Sequence, residues 1–210
     1  MNAQATLADG LARLKLDLAQ QVQQKLLDYV VLLQKWNKVY NLTAVRDADK
    51  MLTHHLLDSL AVAPHVNART ILDVGSGAGL PGIPLALALP EVRVTLLDSN
   101  HKKAAFLNQA VIDLKLGNVE VVCARVEKYQ SKQTFSLVIS RAFSDLPEFV
   151  ALAGSLVAPG GTLLAMKGVH PFEEIAQMNG GKGGFKLCGI TPLAVPGLDA
   201  ERHLVFMKAA

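Results

Sequence analysis

The residues in this chain whose types and spacing most directly imply chemistry are a pair of acids and a run of alternate glycines. Asp73-Val74-Gly75-Ser76-Gly77-Ala78-Gly79-Leu80-Pro81-Gly82 closes an apolar run with an acid and then breaks into a glycine-rich turn. Lacking β-carbons, Gly75, Gly77 and Gly79 let a ligand lie against the backbone and permit positive φ where the turn is tightest. About 20 residues past this turn, a second β-branched run ends in Asp98, where a carboxylate can accept hydrogen bonds from both ribose hydroxyls. Together these residues form a grip for a nucleoside. Glycines also serve turns that bind nothing, and Asp73 could simply hold the loop through its backbone amides.

A wider set of polar residues falls at the carboxyl ends of the expected strands. Arg141 follows the fourth strand, where a guanidinium fork suits a carbonyl edge of a base or a phosphate. Lys102, Lys103, Arg125 and Lys167 form a plausible basic rim, although each alone reads equally as a solvated charge. Phe143 could stack on a splayed base or pack in the core. Arg46, Trp36 and His54 could line the far side of such a cleft. His54 and His55 are adjacent on an expected helix, so they point about 100° apart and cannot readily share an ion. No metal site is expected.

The elements that must position these residues divide in two. Leu7, Leu11, Leu14 and Leu18 repeat at helical spacing, and Val22, Leu26, Val30, Leu33 and Trp36 continue the stripe. Two amphipathic helices are expected there, with a third capped by Asp47 and running to Ala63. Past Asn67 the pattern alternates strand and helix, with strands over residues 70–74, 92–98, 119–123, 135–140 and 162–167. Asn100 caps one intervening helix, others cover 146–157 and 172–178, and Gly180-Gly181-Lys182-Gly183-Gly184 reads as a mobile loop. Two last strands, 185–191 and 203–208, form a hairpin-like pair at the sheet edge. Alternating elements predict an α/β fold with a seven-stranded, mostly parallel sheet covered on both faces. Residues 1–66 are expected to be a helical extension packed on the sheet of a domain spanning 67–210.

Composition narrows the class. Half of the 210 residues are hydrophobic, enough for a real core, and the net charge of +3 permits a nucleic-acid partner without demanding one. No cationic stretch followed by an apolar segment opens the chain, and no apolar run would span a bilayer, so a cytoplasmic protein is expected. Cys123 and Cys188 lack metal or redox spacing and are expected to be buried, reduced thiols.

The Asp-x-Gly-x-Gly-x-Gly form resembles the first motif of S-adenosylmethionine-dependent methyltransferases, which would make the domain a class I, Rossmann-like methyltransferase fold. Further pieces closely resemble the bacterial small-subunit rRNA guanine-N7 methyltransferases of the RsmG (GidB) family. They are Trp36-Asn37-Lys38-x-Tyr40-Asn41-Leu42-Thr43, His55-x-x-Asp58-Ser59, Leu97-Asp98-Ser99, Lys102-Lys103, Arg125-Val126-Glu127, Ser140-Arg141-Ala142, Met166-Lys167-Gly168 and Glu201-Arg202-His203-Leu204. The resemblance implies that Gly75 and Leu80 contact the cofactor, that Val126 and Glu127 lie beside its adenine, and that Arg141 belongs to the cofactor cleft. It also implies small-subunit 16S rRNA, or the 30S particle, as partner. A monomer is expected.

Guanine N7 carries an in-plane lone pair, so no proton leaves before it attacks a sulfonium methyl group. Alignment is then the main requirement, and no residue is needed as a general base; Arg141 is the one catalytic candidate. The chain lacks the Asn/Asp-Pro-Pro-Tyr/Phe clamp of exocyclic-amine enzymes and the cysteine nucleophile of cytosine-C5 enzymes after the fourth strand. An arginine sits poorly beside a cationic methyl donor unless an acid neutralises it, and Glu127 or Asp73 is expected to do so. Two other readings fit the residues: a small-molecule or protein methyltransferase with an enclosed pocket, and a non-catalytic cofactor-binding assembly factor.

Overall fold

The computed structural model of the chain describes residues 2–141, 143, 145–178 and 182–210. Its centre is a seven-stranded sheet in the order β3-β2-β1-β4-β5-β7-β6. The strands are β1 (Thr70–Val74), β2 (Arg93–Asp98), β3 (Val119–Cys123), β4 (Phe135–Ser140), β5 (Val157–Lys167), β6 (Phe185–Pro192) and β7 (His203–Ala209). Neighbours from β3 through β5 run parallel, and β7 is antiparallel to both β5 and β6. The chain leaves β3, passes over β2 and β1, and re-enters as β4. That reversal opens a crevice at the carboxyl ends of β1 and β4, where open α/β sheets bind ligands.

The period-2 alternation of a strand sorts its side chains onto two faces. Ile71, Leu96 and Ile139 join a large core with Leu7, Leu26, Leu33, Leu56 and Phe106, from the N-terminal helices and α6. Leu72, Val74, Leu97 and Val138 face the other way, onto Phe149 and Val150. The helices on the first face are α1 (Ala3–Arg13), α2 (Gln20–Tyr40), α3 (Ala48–Met51), α4 (Asp58–Leu60), α5 (Gly82–Ala88) and α6 (His101–Asp113); α7 (Leu146–Ala153) and α8 (Phe172–Met178) cover the second. Asp73 shares the face of Ile71, which aims it at α5.

Caps follow the sequence closely. Asn100 accepts from the amides of Lys102 and Lys103, and Asp47 from that of Lys50. The third expected helix departs from regularity, because between α3 and α4 the chain widens into a π-helical segment, Leu52–Leu57, and α4 stops at Leu60. The helix expected over 146–157 ends at Ala153; a tight turn over Gly154–Leu156 follows, and Val157 already belongs to β5. Lys182–Gly184 form a 3-10 turn, while Gly180 and Gly181 of the expected loop lie outside the described residues. Both cysteines are exposed, contrary to expectation. They sit on β3 and β6, the two sheet edges, where only one flank of each strand is covered.

Candidate functional site

The glycine loop is fixed from every side. The amides of Gly75 and Ser76 donate to the carbonyl of Leu97 at 2.8 and 3.1 Å, tying the end of β1 to β2. Ser76 Oγ donates to the Asp73 carbonyl at 2.8 Å. From α2, the fully buried Tyr29 hydroxyl donates to the carbonyl of Ala78, and burial holds its phenol well above the usual range. Asp98 spans the loop and the next turn, with Oδ2 accepting from the Gly77 amide and Oδ1 from that of Asn100, each at 2.8 Å.

Two glycines answer different needs. A β-carbon on Gly77, where φ is +58°, would meet open space, with only the Gly75 carbonyl and Lys103 Nζ within 4 Å. The backbone there is free to meet a ligand. A β-carbon on Gly79 would instead strike Ile83 Cδ1 at 2.5 Å, so this glycine makes room for the core rather than for a ligand. Leu80 is likewise buried in that core.

Beside the loop lies a cleft of about 480 Å³. Of the residues singled out from sequence as cofactor contacts, Gly75, Asp98, Val126 and Glu127 line it, while Gly77, Gly79, Leu80 and Arg141 are not among its lining residues. Leu97, Ala124 and Leu152 add apolar wall, and Lys103, Arg125 and Phe143, expected on an RNA rim, line the same cleft. Phe143 stacks on Phe149 with ring centroids 5.0 Å apart, which anchors it from behind. The cleft suits an adenosine-bearing cofactor: glycine backbone at Gly75, a carboxylate at Asp98 where a ribose would lie, and apolar side chains toward Val126. Asp98 Oδ1 and Oδ2 each hold one amide, which leaves each a further lone pair.

Arg141 belongs to a second cavity, of about 390 Å³, lined also by His54, His55, Asp58, Lys167 and Arg202. Its expected neutralising partner was Glu127 or Asp73; the partner found is Asp58. Arg141 Nη1 lies 3.3 Å from Asp58 Oδ2 and donates to the His54 carbonyl at the same distance. Arg202 Nε donates to the other Asp58 oxygen at 2.9 Å. Asp58 is 1% exposed, so a buried acid from the N-terminal helices clamps two arginines from the C-terminal third of the chain. Its proximity outweighs that of Asp73, whose side chain is turned to α5, and of Glu127, which lies on the far side of the first cleft. Lys167 pairs with Glu174 at 2.8 Å. Lys102 is exposed at the start of α6, Arg46 lines a separate surface hollow with Asn37 and Asn41, and Trp36 packs edge-on against Phe106.

Two further buried groups carry displaced pKa values. Asp73 is pushed up to about 7, first by burial, against the Gly82 amide, the positive charge of Arg141 and the Ser76 hydroxyl, which lower it. Its Oδ2 accepts from Gly82 at 3.0 Å, and its Oδ1 is buried with no hydrogen-bond partner. His55 is pulled down to about 4, first by burial and then by Arg141. A neutral ring satisfies both neighbours: Nδ1 donates to the His54 carbonyl at 2.9 Å, and Nε2 accepts from Thr43 Oγ1 at 2.7 Å. Thr43 is itself held by Asn37, whose Oδ1 accepts from the Thr43 amide at 2.9 Å.

The sequence reading missed the roles of Asp58, Arg202 and Tyr29. Asp58 and Arg202 stood in quoted motif pieces, and an acid and an arginine within motifs outside the glycine loop were the available signal. Tyr29 had none, because on the helical stripe it reads only as a core aromatic.

A glycine loop, an acid at the end of β2 and a final antiparallel strand inserted between β5 and β6 define the class I S-adenosylmethionine-dependent methyltransferase fold. Solved structures agree: the mitomycin 7-O-methyltransferase MmcR superposes with a TM-score of 0.62 at 15% identity, covering 78% of this chain and 55% of that one. The glycopeptide N-methyltransferase MtfA, complexed with S-adenosyl-L-homocysteine, does so at 0.63 and 12%, covering 74% and 87%. Within this class the sequence is specific. The family described as "rRNA small subunit methyltransferase G" (GidB) matches residues 22–205, and the chain belongs to it. Its relatives of that description include one from Nitrosospira multiformis, 56% identical with 100% of this chain and 99% of that protein covered, and one from Laribacter hongkongensis, 55% identical with 98% of each covered.

Proposed function

We propose that the protein transfers a methyl group from S-adenosylmethionine to N7 of a guanine in the decoding-region loop of small-subunit 16S rRNA. The observation that carries this reading is the pairing of two cavities across the exit of β4. One is built on the glycine loop, and the other is walled by Arg141, Arg202 and Lys167. Membership of the family supports the rRNA substrate. A small-molecule enzyme would favour an enclosed pocket in place of this cationic one.

When bound, the cofactor supplies an electrophilic methyl group on a sulfonium. Gly75, Gly77, Asp98, Val126 and Glu127 are the groups that would hold it, with Gly79 and Leu80 shaping the loop from beneath. Guanine N7 attacks with its own lone pair, so the protein has no proton to remove and contributes chiefly by fixing orientation, worth up to about 7–11 kcal/mol in favourable cases. Arg141 is poised to position the acceptor through its remaining N–H groups, with Asp58, shared with Arg202, offsetting part of its charge and so weakening its repulsion of the cationic donor. Lys102, Lys103, Arg125 and Arg46 supply a cationic surround for RNA phosphates, a contribution that weakens with salt.

The same reading places the protein in the cytoplasm as a monomer, without metal, with residues 1–66 a helical extension of a catalytic domain spanning 67–210. No helix among the described residues is long and apolar enough to cross a membrane. The test is to incubate the protein and methyl-labelled cofactor with small subunits from a strain lacking the enzyme, then map borohydride- and aniline-sensitive positions in the rRNA. A single cleavage at a guanine is expected; label in protein, or at another ring position, would overturn the proposal.

A further inference from the structure

The second cavity opens onto a surface that the cofactor cleft does not use. Gly168, at the end of β5, lines its mouth, and the chain beyond it runs out through Val169 and Phe172, which are 74% and 72% exposed. The Phe172 ring leans on that of His170, centroids 3.9 Å apart, and His170 in turn meets His203 edge-on at 5.3 Å. His203 Nδ1 lies 2.8 Å from the Gly168 carbonyl, which fixes this row of rings to the rim of the cavity. Inside, Lys167 is balanced by Glu174, whereas Asp58 balances only one of the two arginines, so one positive charge is in surplus. Both arginine side chains keep about a quarter of their surface exposed, at 27% and 24%, and each guanidinium has more N–H groups than its bonds to Asp58, His54 or Glu201 use.

An open aromatic face beside a cationic hollow matches what an unpaired stretch of RNA presents: a π-surface on each base and an anion on each linkage. A protein partner would more naturally use an aliphatic groove, and a single backed ring is not one.

We propose that Phe172, backed by His170, is the stacking platform for an unpaired RNA base. It would adjoin the nucleotide whose phosphate or carbonyl oxygen enters the cavity between Arg141 and Arg202. The proposal rests on the reading of the protein as an RNA methyltransferase, and it names the surface by which that substrate is held.

The test compares Phe172→Ala, Phe172→Leu and Phe172→Tyr. The ring is largely exposed, so all three should fold as the wild type does, which circular dichroism checks. With small subunits lacking the modification as substrate, Phe172→Ala should raise KM for the particle by about 5- to 150-fold, the range set by one stacked base. Phe172→Leu should do the same, Phe172→Tyr should restore the wild-type value, and calorimetry should give all variants the wild-type affinity for S-adenosylhomocysteine. An unchanged KM for Phe172→Ala, full activity in Phe172→Leu, or an equal loss of cofactor affinity would overturn the proposal. Should the wild type label no particle RNA, the functional reading itself falls. The platform is then decided by anisotropy with a labelled unpaired RNA oligonucleotide: loss in the alanine variant with retention in the tyrosine variant upholds it, and equal binding by all refutes it.

Discussion

The Asp58 clamp makes the most exacting prediction. Replacing Asp58 with asparagine keeps the shape but removes the charge that two arginines share, and asparagine can offer only one carbonyl oxygen where the carboxylate offered two. Asp58 is 1% exposed, so deleting a partner from this cluster approaches the case of a broken buried ion pair, about 3–5 kcal/mol. The arginines, however, are about a quarter exposed, at 27% and 24%, and water can solvate the charges they are left with. The lower range for a charged hydrogen bond, about 1.5–3 kcal/mol, is therefore the expected loss of stability. Urea denaturation followed by circular dichroism would read it as a lower midpoint at unchanged slope. A double-mutant cycle with Arg202→Gln isolates the clamp, and the coupling between the two sites should be about 1 kcal/mol or more. In the enzyme assay, kcat should fall more than the KM for cofactor rises, because the clamp orients Arg141 on the acceptor side. A midpoint unchanged in Asp58→Asn together with zero coupling would refute the assignment of Asp58 as the device that holds both guanidiniums.

Other consequences are simpler. Tyr29→Phe leaves the Ala78 carbonyl without its buried donor, so it should cost about 1–3 kcal/mol of stability and weaken cofactor binding in calorimetry, with KM for the RNA particle unmoved. Gly75→Arg puts a long side chain into the cleft at a residue whose φ is +71°, and it should abolish cofactor binding in the same titration. Asp73 keeps its proton up to about pH 7 in the fold but only to about 3.8 in the unfolded chain. Its contribution is thus present at low pH and lost as pH rises, so wild-type stability relative to Asp73→Asn should drop by about 2–3 kcal/mol between about pH 5 and 8. His55 titrates the opposite way: neutral in the fold down to about pH 4 and charged in the unfolded chain below 6.5, it loses stability as pH falls through that window. Wild-type stability should therefore be nearly flat between about pH 5 and 6.5, where the two slopes cancel, and His55→Gln should uncover the falling Asp73 limb in urea melts across that range.

How far the sequence could lead depended on the range of the interactions concerned. Strand limits and helix caps were readable because they rest on neighbours: the short apolar run of β1 that breaks at Gly75, Asn100 two and three residues from the amides it caps, and Asp47 three residues from its own. The glycine loop was readable for the same reason, since positive φ at Gly75 and Gly77 is a demand of the local backbone. Gly79 shows where that logic falls short, because its positive φ is just as local, but the packing of Ile83 that also shuts out a β-carbon there leaves no mark in the sequence. The partner of Arg141 was out of reach altogether. A lone arginine in a sequence announces that some acid must neutralise it, but Asp58 and Arg202 stand 83 and 144 residues from their counterparts, on elements brought together only when the helices close over the sheet. The acids expected beside it were Asp73 and Glu127, and each is committed elsewhere: Asp73 by the pleat of β1, which turns it toward the Gly82 amide, and Glu127 by the turn that puts it on the cofactor side. The cofactor grip is thus a product of short-range chain geometry. The cavity around Arg141 is walled partly by the N-terminal helices, which on the proposed reading makes those helices part of the acceptor side as well as of the core. A chain lacking α4 and the helices before it should accordingly lose the clamp along with much of the first core, so the acceptor side cannot be studied on the sheet domain alone.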